Sequence, residues 1–305
     1  MPRCIWVMLG SVILGCAVVG GDPQLCPDLT DPFKRAADTP IPTPAHLASM
    51  CGVPRTPRPR CSADRTRIGW VPAAETTTVP SVIPRVILQT WMTSELEPRV
   101  CRAATAWSRI NPEYDYILFN DTHAHALLLR YFGKRVAAAW ECITIGAVKA
   151  DVWRLLAVYI IGGFYFDMDA GPKATHPFRS WGTENLTMVS GAGATVREPH
   201  QWGMLYAPRH PLIELAIKNM LPQLIRRSQR HVQDIAYRPF QRAFTALQGH
   251  ADVAMVPGWG DCFGGRVHFK LPGGFDAHLR KTAHVQHWSS VEKGRRGIWK
   301  SPTCC

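Results

Sequence analysis

The stretch GGFYFDMDAGP, residues 162–172, ends an aromatic run on two aspartates with one methionine between them. Carried at strand period two, Tyr165, Asp167 and Asp169 share one face, and Phe164, Phe166 and Met168 the other. Two carboxylates placed that way lie roughly 6.5–7 Å apart at their Cβ atoms. Like charges this close resist ionisation unless something positive sits between them. Carboxylate oxygens suit a hard divalent cation, Mn²⁺ or Mg²⁺. The same residues also suit an ordinary strand end and an aspartate-rich turn at Gly171-Pro172. The elements around them must decide.

A second charged pair stands in KADVWR, where Asp151 and Arg154 are three residues apart and share one face of a helix. The surrounding TIGAVKADVWRLLAVYIIGG reads as that helix, with Ile145, Val148, Val152, Leu155, Leu156 and Tyr159 as its apolar stripe. Gly162-Gly163 is its stop. A surface ion pair is the plain alternative, worth about 0.2–0.5 kcal/mol. Charges inside an otherwise apolar helix are costly unless employed. Only two glycines separate this helix from the aspartate strand, so the two pairs pack side by side.

Upstream, VIPRVILQTW reads as a buried strand and LEPRVCRAATAWSRI as a helix ended by Asn111-Pro112. EYDYILFND is a second strand, and THAHALLLRYFG a helix with Thr122 as its N-cap. Strand, helix, strand, helix, helix, strand argues an open α/β sheet. Ligands in such sheets bind beyond the carboxyl ends of the strands. Asp167 and Asp169 occupy such an end.

The chain has 305 residues, 46% hydrophobic and 19% charged, which is the texture of a globular protein. Its net charge of +12 invites a nucleic-acid reading, but the basic residues are scattered. No zinc finger, aromatic RNA-binding pair or basic heptad accompanies them, so no nucleic-acid partner is expected. A scattered positive surface suits a phosphate-bearing small substrate or a membrane surface. Residues 1–21, Met-Pro-Arg followed by an uncharged run, read as a signal anchor or a cleaved signal peptide, with a buried helix of the fold as the alternative. Either leading reading puts residues 22 onward in a secretory lumen, single-pass type II at the ER or Golgi membrane if anchored and secreted if cleaved. Ten cysteines without a C-x-x-C pair suit disulfides in that compartment better than zinc. Asn120-Asp121-Thr122 and Asn185-Leu186-Thr187 are glycosylation sequons. Residues 22–80, rich in proline and short of apolar periodicity, read as a stem that one disulfide could clip, before a catalytic domain over 81–305.

IPRVILQTW, NPEYDYILFND, AVKADVWRLLAVYIIGGFYFDMDA and the terminal HVQHWSS together resemble glycosyltransferase family 32, which includes fungal initiating α-1,6-mannosyltransferases and α-1,4-galactosyltransferases. The resemblance runs over roughly residues 82–299 and is most specific across 147–170. It implies an α/β fold of the GT-A type and a metal-dependent, retaining hexose transfer. The donor would be GDP-mannose or a UDP-hexose, and the acceptor a hydroxyl of a glycan or glycolipid, giving an α linkage. By the same resemblance Asp167 and Asp169 hold Mn²⁺ or Mg²⁺ against the donor diphosphate, and Asp151 touches ribose or sugar hydroxyls. Arg154 lies near the diphosphate, so Arg154 and Asp169 are the catalytic candidates. Thr90, Trp91 and Trp288 complete the nucleotide-sugar site, with Trp91 stacking on the base. His287 is either a third metal ligand or a surface histidine. Arg238 stands where the family usually has a glycine. The competing readings are an inactive lumenal binding protein on the same fold and a DxD phosphohydrolase.

Overall fold

A computed structural model describes residues 32–74, 83–172, 186–191, 199–228, 231–248, 259–262, 265–269 and 279–281. The N-terminal part runs α1 (Pro32–Asp38), α2 (Pro44–Met50), β1 (Thr66–Arg67) and β2 (Trp70–Val71). Next come β3 (Val86–Thr90), β4 (Glu95–Leu96), α3 (Pro98–Ile110), β5 (Asp115–Phe119), α4 (Asp121–Glu141), α5 (Gly146–Ile161) and β6 (Gly163–Phe166). Beyond lie β7 (Ala170–Pro172), β8 (Leu186–Gly191), β9 (Pro199–Tyr206), α6 (Pro211–Arg226) and α7 (Tyr237–Gln248). The described part closes with β10 (Trp259–Cys262), β11 (Gly265–Phe269) and β12 (Leu279–Lys281).

Eight of these strands form one mixed sheet in the order β10-β11-β8-β9-β6-β3-β5-β2. At its centre β6, β3 and β5 are parallel, so their carboxyl ends open on one edge. Both faces of that centre are covered. Val86, Leu88, Ile117, Phe119 and Tyr165 face a core shared with α4 to α7, while Ile87, Tyr116, Leu118, Phe164 and Phe166 face α3 through Val100 and Trp107. Strands buried on both faces read as continuous apolar runs, as VILQT and DYILF do. The open α/β sheet expected from the sequence is the fold.

Two local expectations change. The helix after β5 is capped by Asn120, whose Oδ1 accepts from the His123 N–H at 2.9 Å, and not by Thr122. Helix α5 is not amphipathic over its second half: Val152 to Ile161 are all buried, because the helix lies between the sheet and its neighbours α4 and α6. Gly162-Gly163 does stop it, with φ +69° and +84°. A Cβ at Gly163 would come within 2.5 Å of Val86 Cγ1, so that glycine lets β6 lie directly against β3.

The larger correction concerns residues 33–71, expected within a stem. Phe33, Ala36, Leu47 and Ala48 are buried in the main core, with Phe33 5.0 Å from the Tyr159 ring. β2 edges the sheet, antiparallel to β5, and Trp70 Nε1 donates to Asp115 Oδ1 at 2.8 Å. A Cys61–Cys101 disulfide ties this segment to α3. Two of the prolines in this segment are helix starters: Pro32 and Pro44 open α1 and α2, where proline's missing N–H costs nothing. Residues 1–21 lie outside the described residues. Among those described, no helix is long and apolar enough to cross a membrane.

Candidate functional site

The site assembles where α5, β3 and β6 converge at the carboxyl edge of the sheet. β6 ends at Phe166, one residue before the first aspartate, and residues 167–170 form a turn closed by the Ala170 N–H on the Asp167 carbonyl at 2.9 Å. The strand spacing expected for the two carboxylates therefore does not apply, because the chain has already left the extended conformation. Alternation survives as burial: Met168 is buried, while Asp167 and Asp169 on either side are half-buried. Below the turn, Trp107 stacks on Phe166 at 4.1 Å and donates its indole N–H to the Ala170 carbonyl at 3.1 Å. At its side, the Asp167 N–H donates to the Trp202 carbonyl of β9 at 2.8 Å.

Arg154 links the two charged pairs that the sequence singles out. Its guanidinium donates to Asp151 Oδ1 and lies 3.0 Å from Asp167 Oδ1, and its side chain is only 5% exposed. Its Nε donates to the Ala150 carbonyl at 3.2 Å, which fixes the plane of the fork. Tyr165 lies under the guanidinium, 5.1 Å from ring centre to Cζ, and donates its hydroxyl to Asp167 Oδ1 at 2.9 Å. One oxygen of Asp167 thus receives both a cation and a phenol. An ordinary surface ion pair, the plain alternative for Asp151 and Arg154, is not what the chain builds.

The electrostatics follow from that burial. Burial pushes the Asp151 carboxyl up to about 6; the adjacent Arg154 charge opposes the rise and the Asp167 charge adds to it. Burial works against the Arg154 cation too, but Asp151 and Asp167 more than offset it and hold the guanidinium above its ordinary range. Tyr165 is pushed well above the usual phenol value, chiefly by burial, so it stays a hydrogen-bond donor. Among the described residues, three carboxylates, Asp151, Asp167 and Asp169, face the Arg154 guanidinium, an excess of negative charge. That excess is what a divalent cation would neutralise. Among the described residues no group of three or more His, Cys, Asp or Glu could hold a metal ion. Two carboxylates still fit Mg²⁺ or Mn²⁺, which commonly completes its shell with water and substrate phosphates.

Thr90 ends β3 and Trp91 follows it onto the same edge. The Thr90 hydroxyl and the Trp91 N–H both donate to the Phe119 carbonyl at 3.0 Å, which turns the chain as it leaves the strand. Trp91 is half-buried against the α3-side core, and Met92 beside it is 69% exposed. His287 and Trp288 lie outside the described residues. Arg238 falls in the first turn of α7, donates to Asp234, and with Gln241, Arg242, Thr245 and Ala246 lines a cavity of about 470 Å³ that includes none of the residues above.

Three residues of this edge escaped the sequence reading as contributors. Tyr165 was placed on the aspartate face but given no role; its position two residues before Asp167 was the signal. Gln89 is a fully buried polar residue in an apolar strand, and its amide donates to the Phe166 and Asp167 carbonyls. Gln201 is 3% exposed with neither amide atom partnered, and precedes the Trp202 whose carbonyl holds Asp167. A buried amide without a partner calls for an explanation.

Residues 97–187 match the family model described as a glycosyltransferase sugar-binding region containing a DXD motif, and that span includes α5, Asp151, Arg154, Asp167 and Asp169. That span is similar to the DXD glycosyltransferases of family 32. Similar proteins include an initiation-specific alpha-1,6-mannosyltransferase of Schizosaccharomyces pombe, 26% identical over 152 residues that cover 43% of this chain and 38% of that one. An inositol phosphoceramide mannosyltransferase of the same yeast is 25% identical over 144 residues, covering 46% of this chain and 38% of the relative. This DXD protein therefore spans about two-fifths of the length of the curated relatives it matches. Among solved structures, the PaToxG glycosyltransferase aligns with a TM-score of 0.45 and 17% identity, over 55% of this chain and 71% of that one.

Proposed function

We propose that this DXD protein transfers a hexose from a nucleotide sugar, GDP-mannose or a UDP-hexose, to a hydroxyl of a glycan or glycolipid, with retention at the anomeric carbon. The observation that carries the reading is Arg154, buried between Asp151 and Asp167 at the mouth of the parallel strands. It couples a hydroxyl-binding carboxylate to a metal-binding one. In the reaction the bond from the sugar's anomeric carbon to the diphosphate oxygen breaks, and the acceptor oxygen bonds to the same face. The acceptor's proton passes to the departing diphosphate oxygen, so no protein base is required.

Asp167 and Asp169 would hold Mn²⁺ or Mg²⁺, which as a Lewis acid offsets charge on the leaving diphosphate. Tyr165 and Arg154 keep Asp167 from rotating away, since both engage its Oδ1. Asp151, about one-quarter exposed beside them, accepts from ribose or sugar hydroxyls. Arg154 supplies a fixed cation near the leaving oxygen, where pre-oriented charge acts without reorganisation. Trp91 offers a face for the base, a stacking contact worth about 1–3 kcal/mol. The unpartnered Gln201 amide would contact a hydroxyl of donor or acceptor. Secretory-pathway residence, with residues 1–21 as membrane anchor or signal peptide, is supported by the Cys61–Cys101 disulfide and by the yeast relatives.

The test is product stereochemistry. Incubation with Mn²⁺, a nucleotide sugar and acceptor should give an α-linked product by NMR, and a β-linked one would overturn retention. Arg154→Lys should lose rate, because an ammonium cannot reproduce a planar fork shared between two carboxylates.

A further inference from the structure

The backbone ladder between β3 and β6 pairs Ile87 with Phe164 and Leu88 with Tyr165, and pairs no residue beyond them. At the next position a side chain takes over. Gln89 Nε2 donates to the Phe166 carbonyl at 3.4 Å and to the Asp167 carbonyl at 3.1 Å. Both acceptors are carbonyls, so the NH₂ end of the amide must face them, and its oxygen faces away. That oxygen accepts from the Tyr116 hydroxyl on β5 at 2.8 Å. Gln89 and Tyr116 are both fully buried, and burial holds the phenol above its ordinary pKa as a donor.

The Asp167 carbonyl that Gln89 holds is also the acceptor that closes the turn through Ala170 N–H. That turn sets the position of Asp169 relative to Asp167. An amide in place of a backbone N–H lets β6 end one residue early and still leaves its last carbonyls satisfied, which a buried strand end requires. A strand continued by backbone pairing would have put the two aspartates in extended chain, not in a turn.

We propose that Gln89, oriented by Tyr116, is a positioning residue that sets the geometry of the Asp167–Asp169 turn for cation binding. This rests on the metal-binding reading of those aspartates. It touches neither cation nor substrate and acts only through the Asp167 carbonyl. Outer partners that orient metal ligands typically change metal affinity by about 10–100-fold when removed.

The experiment is a Mn²⁺ titration of the full chain followed by electron paramagnetic resonance, alone and with GDP or UDP, beside thermal unfolding of the same samples without metal. The proteins are wild type, Asp169→Asn, Gln89→Met, Gln89→Glu and Tyr116→Phe. Tyr116→Phe keeps the ring in the core and removes only the hydroxyl, so it tests the relay even if both Gln89 variants fail to fold. The expected result is Mn²⁺ binding weakened on the order of tenfold in Tyr116→Phe and in each Gln89 variant that folds, with binding lost in Asp169→Asn. Wild-type Mn²⁺ affinity in a folded Gln89→Met or in Tyr116→Phe would overturn the relay while leaving the metal site standing. No Mn²⁺ binding by wild type under any of these conditions would overturn the metal site, and the relay with it.

Discussion

Removing the guanidinium of Arg154 isolates the arrangement on which the site depends. Arg154→Met keeps the length and apolar stem but takes away the cation that pairs with both Asp151 and Asp167. The arginine side chain is 5% exposed and the two carboxylates about one-quarter exposed, so solvent screens the loss only partly. Breaking a buried ion pair by deleting one partner costs about 3–5 kcal/mol. At pH 7.5, unfolding by urea should show a deficit of that order. The deficit has a pH signature. Asp151 already has its carboxyl raised to about 6 by burial, against Arg154, and without the arginine it rises further. A carboxyl raised in the folded state gains stability as pH falls through its folded value, so the variant should recover part of its loss between pH 7.5 and 5. Asp151→Asn in the Arg154→Met background should likewise be less destabilised than Arg154→Met alone, since one uncompensated charge is gone. A variant as stable as wild type at pH 7.5, or a deficit indifferent to pH and to Asp151→Asn, would refute a buried charge cluster.

His210 caps α6 with Nδ1, which accepts the Leu212 N–H, and burial lowers its pKa to about 4. Being depressed from about 6.5, it contributes stability that is present above pH 6.5 and lost as pH falls toward 4, by about 3 kcal/mol; His210→Asn, still a cap, should remove that slope in pH-dependent urea unfolding. Gly163→Ala should destabilise by more than about 1 kcal/mol in the same assay, because the position has φ +84° and the new Cβ would meet Val86. Gln201→Leu should leave thermal stability unchanged or higher, since it removes unpartnered buried amide atoms, yet raise KM for donor or acceptor; unchanged kinetics would take Gln201 out of the site.

What the sequence made legible was local and strongly patterned. The aromatic strand, the two glycines and the Asp151/Arg154 helix lie close together in sequence, and each signal comes from neighbours a few residues apart. Helix α3 and strands β3 and β5 stand out for the same reason. The stem reading failed because Phe33 and Leu47 are isolated apolar residues with no period around them; what packs against their helices is α4, α5 and β5, far along the chain. Helix α5 looked one-sided because its charges sit only in its first turns, whereas its full burial depends on the layers around it. The turn at Asp167 was hidden because nothing in FYFDMD says where backbone pairing stops. The carbonyls at that point are met by Gln89 from the neighbouring strand. A lone polar residue in VILQT was the available clue.

The central claim is that nucleotide-sugar turnover occurs at Asp167 and Asp169. Its most direct test is release of nucleoside diphosphate from a panel of GDP- and UDP-sugars, with Mn²⁺ or with chelator, by the wild-type chain and by Asp167→Asn and Asp169→Asn. The account predicts turnover of at least one donor that requires the divalent cation and is abolished in both variants while their folded spectra persist. Turnover that survives chelation, or survives in both variants, would contradict it, as would a folded wild-type chain that turns over no donor in the panel with Mn²⁺ and acceptor present.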